Sequence, residues 1–336
     1  MKKALISGTS GMDGRLLAYQ LLEKGYQVFG MVRQSASRDV TELNKLALYE
    51  NFKLVEGDLL DQGSLDRLVK QIQPDYLYNM GALSFVGKSW DQPELTAQVT
   101  GLGVLRCLEA IRKHQPECKF LTASSSEMFG DVLETPQKET TPFNPQSPYG
   151  VAKVFGAYLT DVYRKSYDIK AFTTICFNHC GKTRGKIFVT RKITSEVAKM
   201  TQEPSFFQLG NLEAKRDWGS ATDYTRGMIM IMEKEGLMPD DFILATGETH
   251  TVREWLEASL QAAGLNFSKY GEELQEVYSI EGGSKISINP DFYRPAEVDL
   301  LLGDAGKIKE LVGWEPTISF KELVIQMVEH DISLLD

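Results

Sequence analysis

Long hydrophobic runs are missing from this 336-residue chain. None approaches the ~20 apolar residues of a membrane helix, which argues against a helical membrane protein. The opening residues, MKKALISGTSG, reach glycine before a secretory hydrophobic segment is complete, so no signal peptide is expected. Paired cysteines are missing too. Cys107, Cys118, Cys176 and Cys180 form no CxxC motif. Cys176 and Cys180 sit near a conceivable ligand in His179, but free thiols in a reducing cytoplasm are the simpler reading, and no metal is expected. Positive charge is not in excess either: 37 Lys and Arg against 46 Asp and Glu give a net charge of -9. That balance argues against general nucleic-acid binding. An anionic ligand would need a local basic pocket set against this field. What is present is ordinary for a globular protein, 42% hydrophobic and 25% charged residues, enough for a large core and one or two domains.

The first half alternates strand and helix. KKALISG is a short apolar strand running into glycine. In the following stretch Leu16, Leu17, Tyr19, Leu21 and Leu22 form a helical stripe that ends at Gly25. QVFGMVR is a second buried strand. The intervening turn, Gly8-Thr9-Ser10-Gly11-Met12-Asp13-Gly14, carries glycines in the spacing GxxGxxG. Such a turn lets main chain approach a pyrophosphate, which then rests on the helix N-terminus. The second strand ends in Met31, Val32, Arg33, Gln34 and Ser35, with no acid for a ribose diol. A cation and hydroxyls suit a 2′-phosphate, so the expected cofactor is NADP.

FKLVEGDL is a third strand, ending at Asp58 and Leu59, placed to meet the adenine. PDYLYNMGA is a fourth, whose end at Met80, Gly81, Ala82 and Ser84 offers small residues to the nicotinamide ribose. ELTAQVTGLGVLRCLEAIRKH reads as one long helix, and KFLTASSS as another strand. The repetition implies a Rossmann-like, doubly wound parallel sheet. Ligands of such sheets bind at the carboxyl ends of the strands.

Two stretches suggest chemistry at those ends. ASSSEMFG places Ser125 and a lone acid, Glu127, after the fifth strand. SPYGVAK places Tyr149 and Lys153 one helical turn apart, on one face. An ammonium beside a phenol favours the phenolate, which could take a proton from an alcohol, and Ser125 can hydrogen-bond the same hydroxyl.

With these motifs in place, the sequence resembles the extended short-chain dehydrogenase/reductase family, in its GDP-mannose 4,6-dehydratase branch. The likeness spans nearly the whole chain, through GTSGMDGRLLAYQLLEKGYQV, SSSEMFG, TPFNPQSPYGVAK, FVTRKI, LGNLEAKRDWG, ATGETHTVREW, FYRPAEVDLLLGD and GWEPTISFKELV. It implies that Ser125, Glu127, Tyr149 and Lys153 are catalytic, with Glu127 as the base that removes the C5 proton. The implied reaction oxidises C4, eliminates water across C5 and C6, and reduces C6 with the same cofactor. The resemblance further implies that His179 and Arg184 touch the cofactor. It implies that Asn178, Lys192, Asn211, Arg216, Arg294 and Glu297 hold the diphosphate and guanine, and that Ser84 meets the sugar. It implies a homodimer or homotetramer in the cytoplasm. Residues 1–178 are expected to form the NADP-binding domain. Residues 179–336 are expected to form mainly a smaller, discontinuous α/β substrate lobe, with some segments returning to the first domain.

The chain departs from that pattern at three places. NHCGK stands where the family reads NHESP, GALS where it reads AAQS, and Arg33-Gln34 where it has paired arginines. Cys180 and Leu83 therefore remove polar groups near the sugar, and leave GDP-mannose, a GDP-heptose and another GDP-hexose open as substrates. A reductase or epimerase acting on a related GDP-sugar is the alternative activity, and a non-catalytic dinucleotide-binding protein the alternative class.

Overall fold

The computed structural model describes residues 1–33, 40–293 and 300–335. In chain order the first half runs β1 (Lys3–Ser7), α1 (Met12–Glu23), β2 (Gln27–Val32), α2 (Val40–Leu46), β3 (Phe52–Glu56), α3 (Gln62–Ile72), β4 (Tyr76–Asn79), α4 (Val86–Asp91), α5 (Pro93–Thr96), α6 (Leu102–His114) and β5 (Lys119–Ser125). Then come α7 (Pro148–Tyr167), β6 (Ala171–Cys176), β7 (Asn178–Cys180), α8 (Val189–Met200), β8 (Phe206–Leu209), β9 (Lys215–Arg216), β10 (Trp218–Ser220), α9 (Ala221–Glu233) and β11 (Asp241–Leu244). The remainder is β12 (His250–Thr251), α10 (Val252–Ala262), β13 (Phe267–Tyr270), β14 (Val277–Ile280), β15 (Lys285–Ile288), β16 (Leu300–Leu301), α11 (Gly306–Val312) and α12 (Phe320–Ile332).

Seven strands in the order β3-β2-β1-β4-β5-β6-β11 form one sheet, and every pairing in it is parallel. Parallel sheets need apolar cover on both faces. One face packs Leu17, Leu21, Tyr78, Tyr224, Met228 and Trp314; the other packs Leu5, Leu68, Val104, Leu108, Ile111 and Phe120. The order reverses between β1 and β4, which opens a crevice at their carboxyl ends. β11 belongs to this sheet although it lies far along the chain, and α9 beside it packs against α1.

The rest of the second half builds a separate core. α8, α10 and α12 pack on one another and, with the sheet β13-β14-β15-β8, bury Ile193, Trp255, Leu260, Tyr278, Val324 and Met327. A buried ion pair, Arg191 to Asp331 at 2.5 Å, fastens α8 to α12, and Thr194 Oγ1 donates to the same carboxylate at 2.7 Å. α10 and α12 each begin with a capping box, Thr251 with Glu254 and Ser319 with Glu322, which satisfies helix N–H groups at the lobe surface. No helix among the described residues is long and apolar enough to cross a membrane.

Candidate active site

The crevice continues into a single cleft of 1130 Å³ between the sheet's carboxyl edge and the second lobe. Its floor is main chain. Gly8 has φ +69°, and a Cβ there would lie 2.7 Å from Gly81 N, so β1 and β4 can approach only through glycine. A Cβ on Gly14 would lie 2.4 Å from Gly8 O. α1 starts at Gly11 with no side-chain cap, leaving the first-turn N–H groups for an anion. These features fit a dinucleotide pyrophosphate. Arg33 is exposed at the end of β2 and lines the same cleft, with Asp58 and Leu59 next to it. Ser10, Met12, Asp13, Met80, Ala82 and Ser84 complete this end.

Thr9 differs from the expectation. It is fully buried, donates from Oγ1 to Ile6 O at 2.8 Å, and does not line the cleft. Its side chain packs beneath the turn, with its methyl against Gly30 of β2.

The four expected catalytic residues converge beyond the cofactor floor. Ser125 ends β5, and its Oγ caps the short turn Ser126–Met128 by accepting from Glu127 N at 3.2 Å. α7 begins at Pro148, capped by Ser147, which accepts from Gly150 N at 3.0 Å. Gly150 is required there, since a Cβ would lie 2.7 Å from Glu127 O. That close approach sets Tyr149 and Lys153 against Ser125 and Glu127. All four line the cleft, and Glu127, Tyr149 and Lys153 are each 9% exposed or less.

Burial governs the electrostatics. It raises the Tyr149 phenol, while the hydrogen bond with Ser125 pulls the other way. It pushes Lys153 down to about 8, with Cys176 and Asp13 opposing. The Lys153 ammonium donates to Ala123 O at 2.5 Å and stands 5.6 Å from the Tyr149 ring centre. The lysine thus does not hydrogen-bond the phenol; it supplies positive charge beside it.

His179 is tied down on three sides. Nδ1–H donates to Phe177 O at 2.8 Å, Nε2 meets Asp13 Oδ2 at 3.1 Å, and the ring lies 4.8 Å from that of Tyr224. Burial raises the Asp13 carboxyl, but His179 with Arg184 and Lys153 holds it net below its usual range. Arg184 donates to His179 O and lies 4.0 Å over the Phe188 ring. Its Nε, the Asn178 Oδ1 and the Asp13 Oδ1 are buried with no protein partner, as groups that await a ligand would be. Lys192 donates to Gln208 O at 2.7 Å and lies 4.5 Å over Phe292. Asn211 and Arg216 complete the far end of the cleft. Arg294 and Glu297 lie outside the described residues, as do Gln34 and Ser35.

A model of the GDP-mannose 4,6 dehydratase family matches residues 5–327. The chain belongs to the GDP-mannose 4,6-dehydratase family. It is 43% identical to GDP-mannose 4,6-dehydratase of Yersinia enterocolitica, over 99% of this chain and 94% of that one. It is 43% identical to the human GDP-mannose 4,6 dehydratase, over 99% of this chain and 92% of that one. Among solved structures, UDP-glucose 4-epimerase of Thermotoga maritima superposes with a TM-score of 0.84 at 25% identity, covering 99% of this chain and 100% of that one.

Several cleft residues of this family member escape sequence reasoning. Arg15 donates to Ser10 O and Thr183 O, both at 3.1 Å, and so ties the glycine turn to the segment bearing Arg184. Phe85 and Phe188 meet edge to face at 5.8 Å across the cleft. Cys176, Phe292 and Tyr293 also line it. Arg15, Phe188, Phe292 and Tyr293 fall inside motifs that carry the family likeness, but nothing local assigns them a role; the pairing of β5 with β6, which sets Ser125 opposite Cys176, brings Cys176 to the cleft. Leu83 and Cys180 both line the cleft, but Cys180 is 1% exposed and its thiol faces Thr190 Oγ1 at 3.3 Å. Of the two departures, Leu83 has more side chain to present to a ligand.

Proposed function

We propose that this protein catalyses NADP-dependent dehydration of a GDP-sugar, GDP-mannose or a close relative, to a GDP-4-keto-6-deoxy sugar. The observation that carries the reading is the buried carboxylate of Glu127 beside Ser125, Tyr149 and Lys153 in one cleft. NADP, when bound at the glycine turn and Arg33, supplies the acceptor and later the donor of a hydride. Tyr149 takes the proton of the sugar 4-hydroxyl, with Ser125 orienting that hydroxyl and Lys153 adding positive charge nearby. The ketone formed at C4 acidifies the C5 proton, which Glu127 removes as water leaves C6. His179 and Arg184 close the cofactor end. Asn178, Lys192, Asn211 and Arg216 hold the nucleotide, Lys192 and Arg216 by positive charge set in an acidic chain and the two amides by hydrogen bonds. Arg294 and Glu297 join them by resemblance.

The assembly is a homodimer or homotetramer in the cytoplasm. Supporting it is an apolar stripe on the outer face of α7, where Val151, Phe155, Tyr158 and Val162 are all more than 40% exposed at spacings of four, three and four residues. Such a stripe suits a helix-to-helix contact with a second copy.

The test is incubation with NADP+ and a panel of GDP-hexoses and GDP-heptose, read by mass. Loss of one water without net oxidation or reduction of the cofactor supports the reading. Stoichiometric use of NADPH moves a reductase ahead, and a change of sugar configuration without loss of mass moves an epimerase ahead.

A further inference from the structure

The stretch read as one long helix is interrupted. Ala97–Gly101, between α5 and α6, winds as a π-helical turn. Each extra residue in such a turn rotates the downstream helix by roughly 100°. Single π turns are frequent at functional sites, and this one touches three functional segments. Thr100 is 2% exposed, and its Oγ1 accepts a hydrogen bond from Leu83 N at 3.1 Å. Leu83 lies in the loop that brings Gly81, Ala82 and Ser84 to the cleft. Gly101 faces α7 between its two catalytic residues, where a Cβ would lie 3.3 Å from Ala152 O and 3.1 Å from the Phe155 ring. Arg106 clasps the turn by donating to Gln98 O at 2.9 Å and Gln98 Oε1 at 2.7 Å, and reaches Leu59 O at 2.9 Å. The turn therefore joins the sugar-side loop, the catalytic helix and the adenine end.

We propose that Thr100 is a positioning residue: the π turn aims its hydroxyl at the Leu83 amide, and this bond fixes the Gly81–Ser84 loop relative to Tyr149. Thr100 does not line the cleft, so it acts through the loop. In an uninterrupted α-helix its side chain would be turned away from the loop, and the Leu83 amide would be left to water. The position of Leu83 against the sugar then depends on Thr100. The kinetic consequence rests on the dehydratase reading; the structural one does not.

Thr100→Val keeps the shape and removes the acceptor, while Thr100→Ser keeps the acceptor. Hydrogen exchange of the full-length protein should show the Leu83 amide exchanging on the order of tenfold faster in Thr100→Val and near wild type in Thr100→Ser. With the best GDP-sugar, kcat should fall on the order of fivefold in Thr100→Val and recover in Thr100→Ser, with GDP affinity unchanged in both. Wild-type exchange in Thr100→Val overturns the proposal, and so does a Thr100→Ser variant as impaired as Thr100→Val, because packing of the methyl would then be the cause. Should Thr100→Val not fold, Thr100→Cys, a weak acceptor of similar size, takes its place in the same comparison. If the wild type dehydrates no GDP-sugar, the dehydratase reading fails, and the exchange rates still decide the role of Thr100.

Discussion

Gly8, Gly11 and Gly14 line the proposed cofactor end of the cleft with main chain, whereas Asn178, Lys192, Asn211 and Arg216 line the proposed nucleotide end with side chains. The first end needs only a strand, three glycines and a helix start, all within residues 3–23. The second draws on β7, α8, β9 and the loops between them. Their supports differ as well. The parallel sheet is held by apolar layers on both faces, while the second lobe fastens two of its helices with the buried pair Arg191–Asp331. A site made of main chain tolerates little change in backbone shape. A site made of side chains can change its ligand one residue at a time.

The largest expected effects lie where the two ends meet. Glu127→Gln should slow water elimination by on the order of 10²–10⁴, since it cannot accept the C5 proton. In heavy water the wild type should place deuterium at C5, and the variant almost none. Tyr149→Phe should stop both C5 labelling and water loss. Dehydration by Glu127→Gln at near wild-type rate would make the carboxylate structural.

Next is the clasp of the second lobe. Asp331→Ala leaves Arg191 charged and buried, and should cost roughly 3–5 kcal/mol of stability, read from the urea midpoint. Hydrogen exchange should rise in α8 and α12 before the seven-stranded sheet. Uniform loss of protection would mean that the two cores unfold as one unit.

Arg33 tests an exposed cation placed at the main-chain end. Arg33→Ala should cost on the order of 1–3 kcal/mol of NADP binding and leave NAD nearly unchanged. A wild type that binds NAD more tightly than NADP would refute the role.

Lys153 links pH to both activity and folding. Its ammonium loses its proton as pH rises through about 8, so kcat/KM should fall on the alkaline side, and Lys153→Arg should move that limb upward. Stability should respond with the opposite sign. Between about 8 and the ordinary 10.5 the unfolded chain binds more protons at this site, so the contribution of Lys153 to stability rises with pH there. Tm profiles of wild type and Lys153→Met that stay parallel across this window would contradict the assignment.

The smallest effect belongs to the sugar. Leu83→Gln should raise turnover of GDP-mannose by a few-fold, as for one added hydrogen bond. A wild type that already prefers GDP-mannose far above other GDP-sugars would make this departure neutral. Cys180→Glu is expected to destabilise instead, because the site is closed and already occupied by Thr190.

By itself the sequence determined the alternating elements, the glycine turn, and the pairing of Tyr149 with Lys153. Each is local: a period of 3.6, a run of apolar residues, or a φ that glycine alone adopts without strain. Resemblance extended the expectation to Glu127 as a base and to Lys192 and Arg216 as contacts to a nucleotide. Tertiary structure decided that β11 is the late strand that joins the first sheet. It also decided that Lys153 bonds Ala123 O rather than the phenol, and that the Ala97–Gly101 stretch is wound as a π turn. Those outcomes depend on what lies across the packing interface. A residue's own neighbours in the chain carry no record of the carbonyl, ring or amide that folding brings against it from more than ten positions away.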